Sequence, residues 1–316
     1  VLTQFWSGLG GKLAERWLAL LLSPALLFCV AGLVAWNWKR TEPSISHDGW
    51  HAVTQHMGDR MQGLPVIVQG LLVVVPLIGV TLLAMAAQRL SVPLARLLSG
   101  HWPHQFDRLY APLLARRRTR IARDTEKLRH LAGLNLSDRT WQQNRDYAEL
   151  ERRYLLVPAE PGRQLATRLG NTLRAFEDRP RTRYGLSTEV CWPRLWLLLP
   201  DTARQEITEA RLRLNLALQS VLWGALLVLW TPWAWWALPG GVLVAAGAYI
   251  RALGAAASYG EVFASCFDVH RGLLYQALRW PLPQSPAQER ESGFALSRYI
   301  ENGSKAAEPP FVAPLE

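Results

Sequence analysis

The sequence predicts an all-α chain: an integral membrane helical bundle of about four transmembrane helices, with a helical cytoplasmic domain between the second and third. Three observations carry that reading. Residues 18–36, 65–87 and 216–230 contain no Asp, Glu, Lys or Arg, while most of the charge lies between Arg89 and Arg213. A helix needs about twenty apolar residues to cross the hydrocarbon. The first two runs are long enough alone, and the third is when Leu212, Leu214 and Trp233 are included. The intervening region has helical stops and starts and no convincing strand alternation.

Taken in order, residues 1–17 form a short amphipathic lead with Lys12 and Arg16. The first span follows as a retained helix, too long for a signal-peptide core. In the loop after it, Trp50, Val53, Met57 and Met61 recur at helical spacing behind Asp48 as N-cap, which predicts a short helix in the membrane interface. The second span contains Pro76, a residue that membrane helices tolerate and that kinks them.

Residues 104–134 read as one or two helices ended by Gly133, and residues 137–158 as a helix capped by Ser137 or Asp138 and stopped before Pro158. Residues 162–180 give a third helix and residues 188–200 a short buried fourth. From Asp201 no proline interrupts the chain before Pro232, so a single helix is expected to start in water and enter the bilayer near Leu214. Thr202 and Gln205 have the spacing of a capping box at its start. Pro239 opens the fourth span, and residues 240–280 can form one helix of about 60 Å, twice the hydrocarbon thickness. The tail beyond Pro281, rich in Pro, Ser, Ala and Glu, is expected to be only partly ordered. The domains so defined are 1–88, 89–211, 212–257 and 258–316.

The run from Leu229 to Gly241 places Trp230, Trp233, Trp235 and Trp236 between Leu229 and Pro239, with Pro232 inside it. It reads as the turn between spans three and four, with the indoles as interfacial anchors. Basic residues near the span ends set orientation. Arg89, Arg96, Arg204, Arg211, Arg213 and Arg251 lie on one side, and the turn at 231–238 carries none. Lys39 and Arg40 after span one argue the other way and roughly balance Lys12 and Arg16, so the majority places both termini and the basic region in the cytoplasm. Arg outnumbers Lys by about eight to one, the mark of a GC-rich and hence bacterial coding genome, which makes the membrane the bacterial inner membrane.

The candidate sites are few. Arg116, Arg117, Arg118, Arg120 and Arg123 form a basic run suited to anionic lipid headgroups or phosphate. With Asp124 and Glu126 interleaved and no aromatic residues alternating, nucleic acid is disfavoured and a small anionic ligand stays open. Ala248, Ala252, Ala256 and Gly260 form an i, i+4 series of small residues, a surface for close helix packing within the bundle or between subunits. Glu261, Asp268, His270 and Arg271 are a mixed ionisable set, in which Asp268 and Arg271 are spaced to pair and His270 is expected to be packed. The stretch from Arg183 to Trp196, with Gly185, Cys191 and Trp192, is expected to be an interhelical corner, with a pocket lining as the alternative.

His47, His51 and His56 lack a recognised third-ligand pattern, Cys29, Cys191 and Cys266 are far apart, and the glycines at 8–11 fail the phosphate-loop spacing. No metal site, cofactor or catalytic residue is therefore expected. The spans hold almost no ionisable groups, which disfavours a proton-coupled carrier. The expectation is a non-enzymatic sensor or effector, oligomeric and able to form a pore, controlled by its cytoplasmic helices. The rivals are an anchor or scaffold for a larger complex and, below it, a membrane enzyme acting on lipid or an anionic metabolite.

Overall fold

The computed structural model describes residues 24–38, 66–100, 102, 105, 107–135, 137, 139–304 and 309–312. Those residues are helical and irregular, with no strand among them. The helices are α1 (Pro24–Trp38), α2 (Val66–Leu98), α3 (Asp107–Ala132), α4 (Trp141–Leu155), α5 (Arg168–Tyr184), α6 (Thr188–Leu198), α7 (Asp201–Leu227), α8 (Ala237–Ala277) and α9 (Pro286–Asn302). The amphipathic lead, the first part of span one and the loop after it with its histidines lie outside the described residues.

Three of these helices, Val74–Leu98 within α2, Asp201–Trp230 and Ala237–Ala277, are long and apolar enough to cross a membrane. In α1 the apolar stretch Pro24–Trp36 is shorter. The chain divides into two compact units, one of residues 1–94 and 217–250, the other of residues 95–216 and 251–316.

The first unit is held together by apolar contacts between helices whose outer faces are also apolar. Ala25, Val80, Ala87, Leu222 and Trp223 form its buried cluster. Leu33, Leu243 and Ile250 point outward, at 70%, 73% and 69% exposure. Apolar side chains facing outward around an apolar core match a lipid surround. Small residues let α7 and α8 approach: a Cβ on Gly224 would meet the Ala245 backbone nitrogen at 2.5 Å. A Cβ on Gly241 would meet the Gly224 carbonyl oxygen at 2.8 Å. Between the two helices a 3-10 turn, Val228–Trp230, makes the bend, and the Thr231 hydroxyl donates to the Val228 carbonyl at 2.6 Å.

The tryptophan run divides by environment. Trp230 lies edge-on to Trp233 at 5.7 Å and tilts against Phe28 of α1 at 5.5 Å. Trp233 faces Trp36 at 6.1 Å, whereas Trp235 is 73% exposed and Trp236 half-buried. The first two indoles therefore pack α1 against the turn, with Trp230 fitting where Gly32 has no side chain. Of the four, Trp235 is the one broadly open to its surroundings.

The second unit has a conventional core. Leu186, Cys191, Leu195, Ile207, Phe263, Phe267, Leu274, Tyr275, Trp280 and Leu296 are buried together. Most of these come from α6, α7, α8 and α9. Part of the tail is helical: α9 closes the core, Leu296 is fully buried, and the helix packs on α5 and α6. Its core-facing positions Ala295, Leu296, Tyr299 and Ile300 fall in one short part of a polar tail, which is why composition misleads there.

Two capping expectations are also corrected. Thr140, not Ser137 or Asp138, caps α4, accepting from the Gln143 backbone while the Gln143 side chain accepts from the Thr140 N–H. Thr202 lies inside the first turn of α7, where the Pro200 carbonyl accepts from the Arg204 N–H, and Gln205 donates instead to Glu209 at 3.1 Å. α8 stops at Ala277 rather than Trp280, because Arg279 takes a left-handed φ of 54° and the Trp280 N–H turns back to the Tyr275 carbonyl.

Candidate functional site

Within the second unit, α3 and α4 pair as an antiparallel hairpin fastened by Lys127 and Asp146 at 2.6 Å. Lys127 holds the Asp146 carboxyl below its ordinary value, through their hydrogen bond first and its charge second. Positions 117, 120/121 and 124 fall on one face of α3 by the 3.6-residue repeat. That face opens onto a cleft of about 240 Å³ lined by Arg117, Arg120, Asp124, Arg153, Arg168 and, below them, Leu150, Tyr154, Thr172 and Leu253. Four arginines and one aspartate, from α3, α4 and the first residue of α5, thus line it; Arg117 is half-buried and Arg120, Arg153 and Arg168 are exposed. Arg153 also pairs with Glu149 one turn earlier on α4.

The five arginines of the basic run are not equivalent. Arg117 is half-buried and, with Arg120, lines the cleft; Arg116, Arg118 and Arg123 are exposed outside it. Their cleft partners Arg153 and Arg168 do not stand out in the sequence. The one signal that points to Arg153 is helical phase, since it follows Leu150 on the face that meets α3.

A second cleft, of about 500 Å³, lies among α5, α6 and α8. Its floor is aromatic: Trp192 stands 4.5 Å from Phe263, and Phe176 and Tyr259 complete it. Gly260 gives Phe176 its place, because a Cβ there would lie 2.1 Å from the ring. Arg179 stacks on that ring at 3.9 Å and reaches Glu261 at 3.1 Å. The rim holds Arg163 bound to Asp178 at 2.6 Å, Arg174 beside Glu177 at 3.6 Å, and Arg181 and Glu189. The Asp178 hydrogen bond raises the Arg163 pKa above its ordinary value.

The small-residue series is interior throughout. Ala248, Ala252 and Ala256 are buried, and Gly260 lies under Phe176. The ionisable set on α8 is wired differently from its spacing. The Asp268 carboxylate accepts from the Tyr184 hydroxyl at 2.7 Å and from Arg183 at 3.3 Å. Arg271 instead pairs with Glu289 of α9, donates to the backbone carbonyl of Asp268, and stacks on the Tyr184 ring at 4.3 Å. Burial first, and the bond to Asp268 second, push the Tyr184 hydroxyl pKa up. The partner that displaces the local pairing is on α9, the element that composition discounts.

The corner between α5 and α6 is a packing device. Gly185 is left-handed at φ 72°, and its backbone touches that of α9, where Gly293 leaves room for the Tyr184 carbonyl. The buried Ser297 hydroxyl accepts from the Ser187 N–H at 2.9 Å and donates to the Gly185 carbonyl at 3.2 Å. Cys191 is buried beside it, and that burial raises its thiol pKa. Among the described residues no three His, Cys, Asp or Glu side chains are grouped to hold a metal ion. The chain matches no protein-family model, no characterised protein and no solved structure.

Proposed function

We propose that the chain is a multi-pass membrane protein with four spans and both termini in the cytoplasm of a bacterial inner membrane, acting as a non-enzymatic sensor or effector. The observation that carries the reading is the dual use of single helices. α8 is one helix of 41 residues, about 60 Å long. Its first part is apolar and outward-facing, as at Val242, Leu243 and Ile250. Its second part supplies Phe263, Phe267, Leu274 and Tyr275 to the core of the charged helical unit. α7 behaves likewise, with Trp223 in one cluster and Ile207 in the other. A change in how the charged unit packs is therefore imposed on helices that continue into the membrane-spanning part. The spans carry almost no ionisable groups, so helix packing rather than proton coupling is the means of response.

Ala252 tests this directly. It is fully buried on α8, and Ala252→Leu adds bulk where none is accommodated. Overpacking typically costs about 1–3 kcal/mol, enough to change the populations of two states about tenfold. The substitution is expected to alter oligomer distribution or conductance in liposomes while insertion stays intact. Unchanged oligomer and conductance with normal insertion would replace this reading with a scaffold in a larger complex.

A further inference from the structure

We infer that the arginine-lined cleft between α3, α4 and α5 is a binding site for a single phosphate group, carried by a free phosphate compound or by a lipid headgroup. Arg117, Arg120, Arg153 and Arg168 line it against one carboxylate, Asp124. Arg117 is half-buried, whereas Arg120, Arg153 and Arg168 are exposed and can be reached from solvent, and the guanidinium fork matches phosphate geometry. Glu149 pairs with Arg153 from the turn before it. The remaining lining supports the same ligand. Thr125 and Tyr154 bring hydroxyl groups, and Leu150, Val157 and Leu253 give an apolar base.

Size narrows the class. At about 240 Å³ the cleft is smaller than the roughly 300–1,000 Å³ of sites that enclose drug-sized ligands. One phosphate and the atoms next to it fit within it. The exposed arginines Arg116, Arg118 and Arg123 lie outside the cleft and have no part in this site. Every lining residue belongs to the second unit, so the site does not depend on the number or orientation of the spans.

The experiment uses the full chain in phosphatidylcholine nanodiscs and follows its thermal unfolding. Inorganic phosphate is titrated in one arm, and phosphatidic acid replaces part of the lipid in the other. A ligand that binds the folded state raises the melting temperature. A saturable shift with inorganic phosphate identifies a free phosphate; a shift with phosphatidic acid only identifies a headgroup. In whichever arm responds, Arg120→Gln with Arg168→Gln is expected to weaken the response at least tenfold. Arg152→Gln with Arg298→Gln, which removes the same charge from exposed sites elsewhere, is expected to leave it within twofold. Should the first double variant unfold more easily without ligand, Arg120→Lys with Arg168→Lys keeps the charge and loses the fork, and is expected to weaken the response at least threefold. No shift in either arm, or equal weakening by both arginine-to-glutamine pairs, overturns the site.

Discussion

At the scale of single residues, the second unit is organised by positions where a side chain is forbidden. A Cβ on Gly293 would stand 1.9 Å from the Tyr184 carbonyl oxygen, and one on Gly260 would stand 2.1 Å from the Phe176 ring. Backbone cannot swing aside as a ring can. Gly293→Ala is therefore expected to destabilise by at least the upper end of the roughly 1–3 kcal/mol typical of overpacking, and Gly260→Ala by less. On α8, nothing lies within 4 Å of the place a Cβ on Gly272 would take, so Gly272→Ala should gain up to about 1 kcal/mol from helix propensity. Thermal unfolding of the three variants in detergent checks the order. If Gly293→Ala and Gly272→Ala melt together, the close approach of α9 to the corner is not a constraint. None of this ranking is legible in the sequence, where three glycines among helical residues look alike.

At the scale of elements, α9 has the largest consequence for its length. It brings Leu296 to the core, Glu289 to Arg271, and the Ser297 hydroxyl to the Ser187 N–H. Removing it would uncover Leu186, Leu195 and Tyr275 and leave the Ser187 donor without its partner. A chain ending at Ser285 is expected to insert, but with its charged unit cleaved by protease at least tenfold faster than in the full chain. Equal protection of the two would restore the expectation of a loosely ordered tail. Helices α3 to α8 are legible in the sequence because their apolar spacing, prolines and glycines act locally. The tail is not, because a 17-residue helix that buries a few residues against other elements carries little signal of its own.

At the scale of the whole molecule, orientation is the property most open to test. The turn between α7 and α8 carries no charge from 231 to 238, whereas the basic helix α3 carries an excess of arginine and α4 carries charges of both signs. A cysteine replacing Trp235, the most exposed tryptophan of that turn, should be labelled by an impermeant thiol reagent in intact cells. One replacing Arg145, exposed on α4, should be labelled only after the membrane is opened. Ala234 is a poorer reporter because it is buried. Strong labelling at 145 in sealed cells would overturn the arrangement of the spans.

The order of residues is enough to establish that the chain is helical and that several of its helices can live in a bilayer. Those properties follow from unbroken apolar runs and from caps and stops within a few residues of each other, so no distant partner is needed to read them. Which of many arginines line one cleft is a matter of folding, since Arg117 shares it with Arg153 and Arg168 only once α3, α4 and α5 are brought together. The same holds for the packing of Trp230 and Trp233 against α1, and for Arg271, which takes Glu289 in preference to the Asp268 carboxylate three residues away. In each case the sequence offers several partners of equal chemistry, and only the packing of remote helices, which fixes distance and burial together, can choose among them.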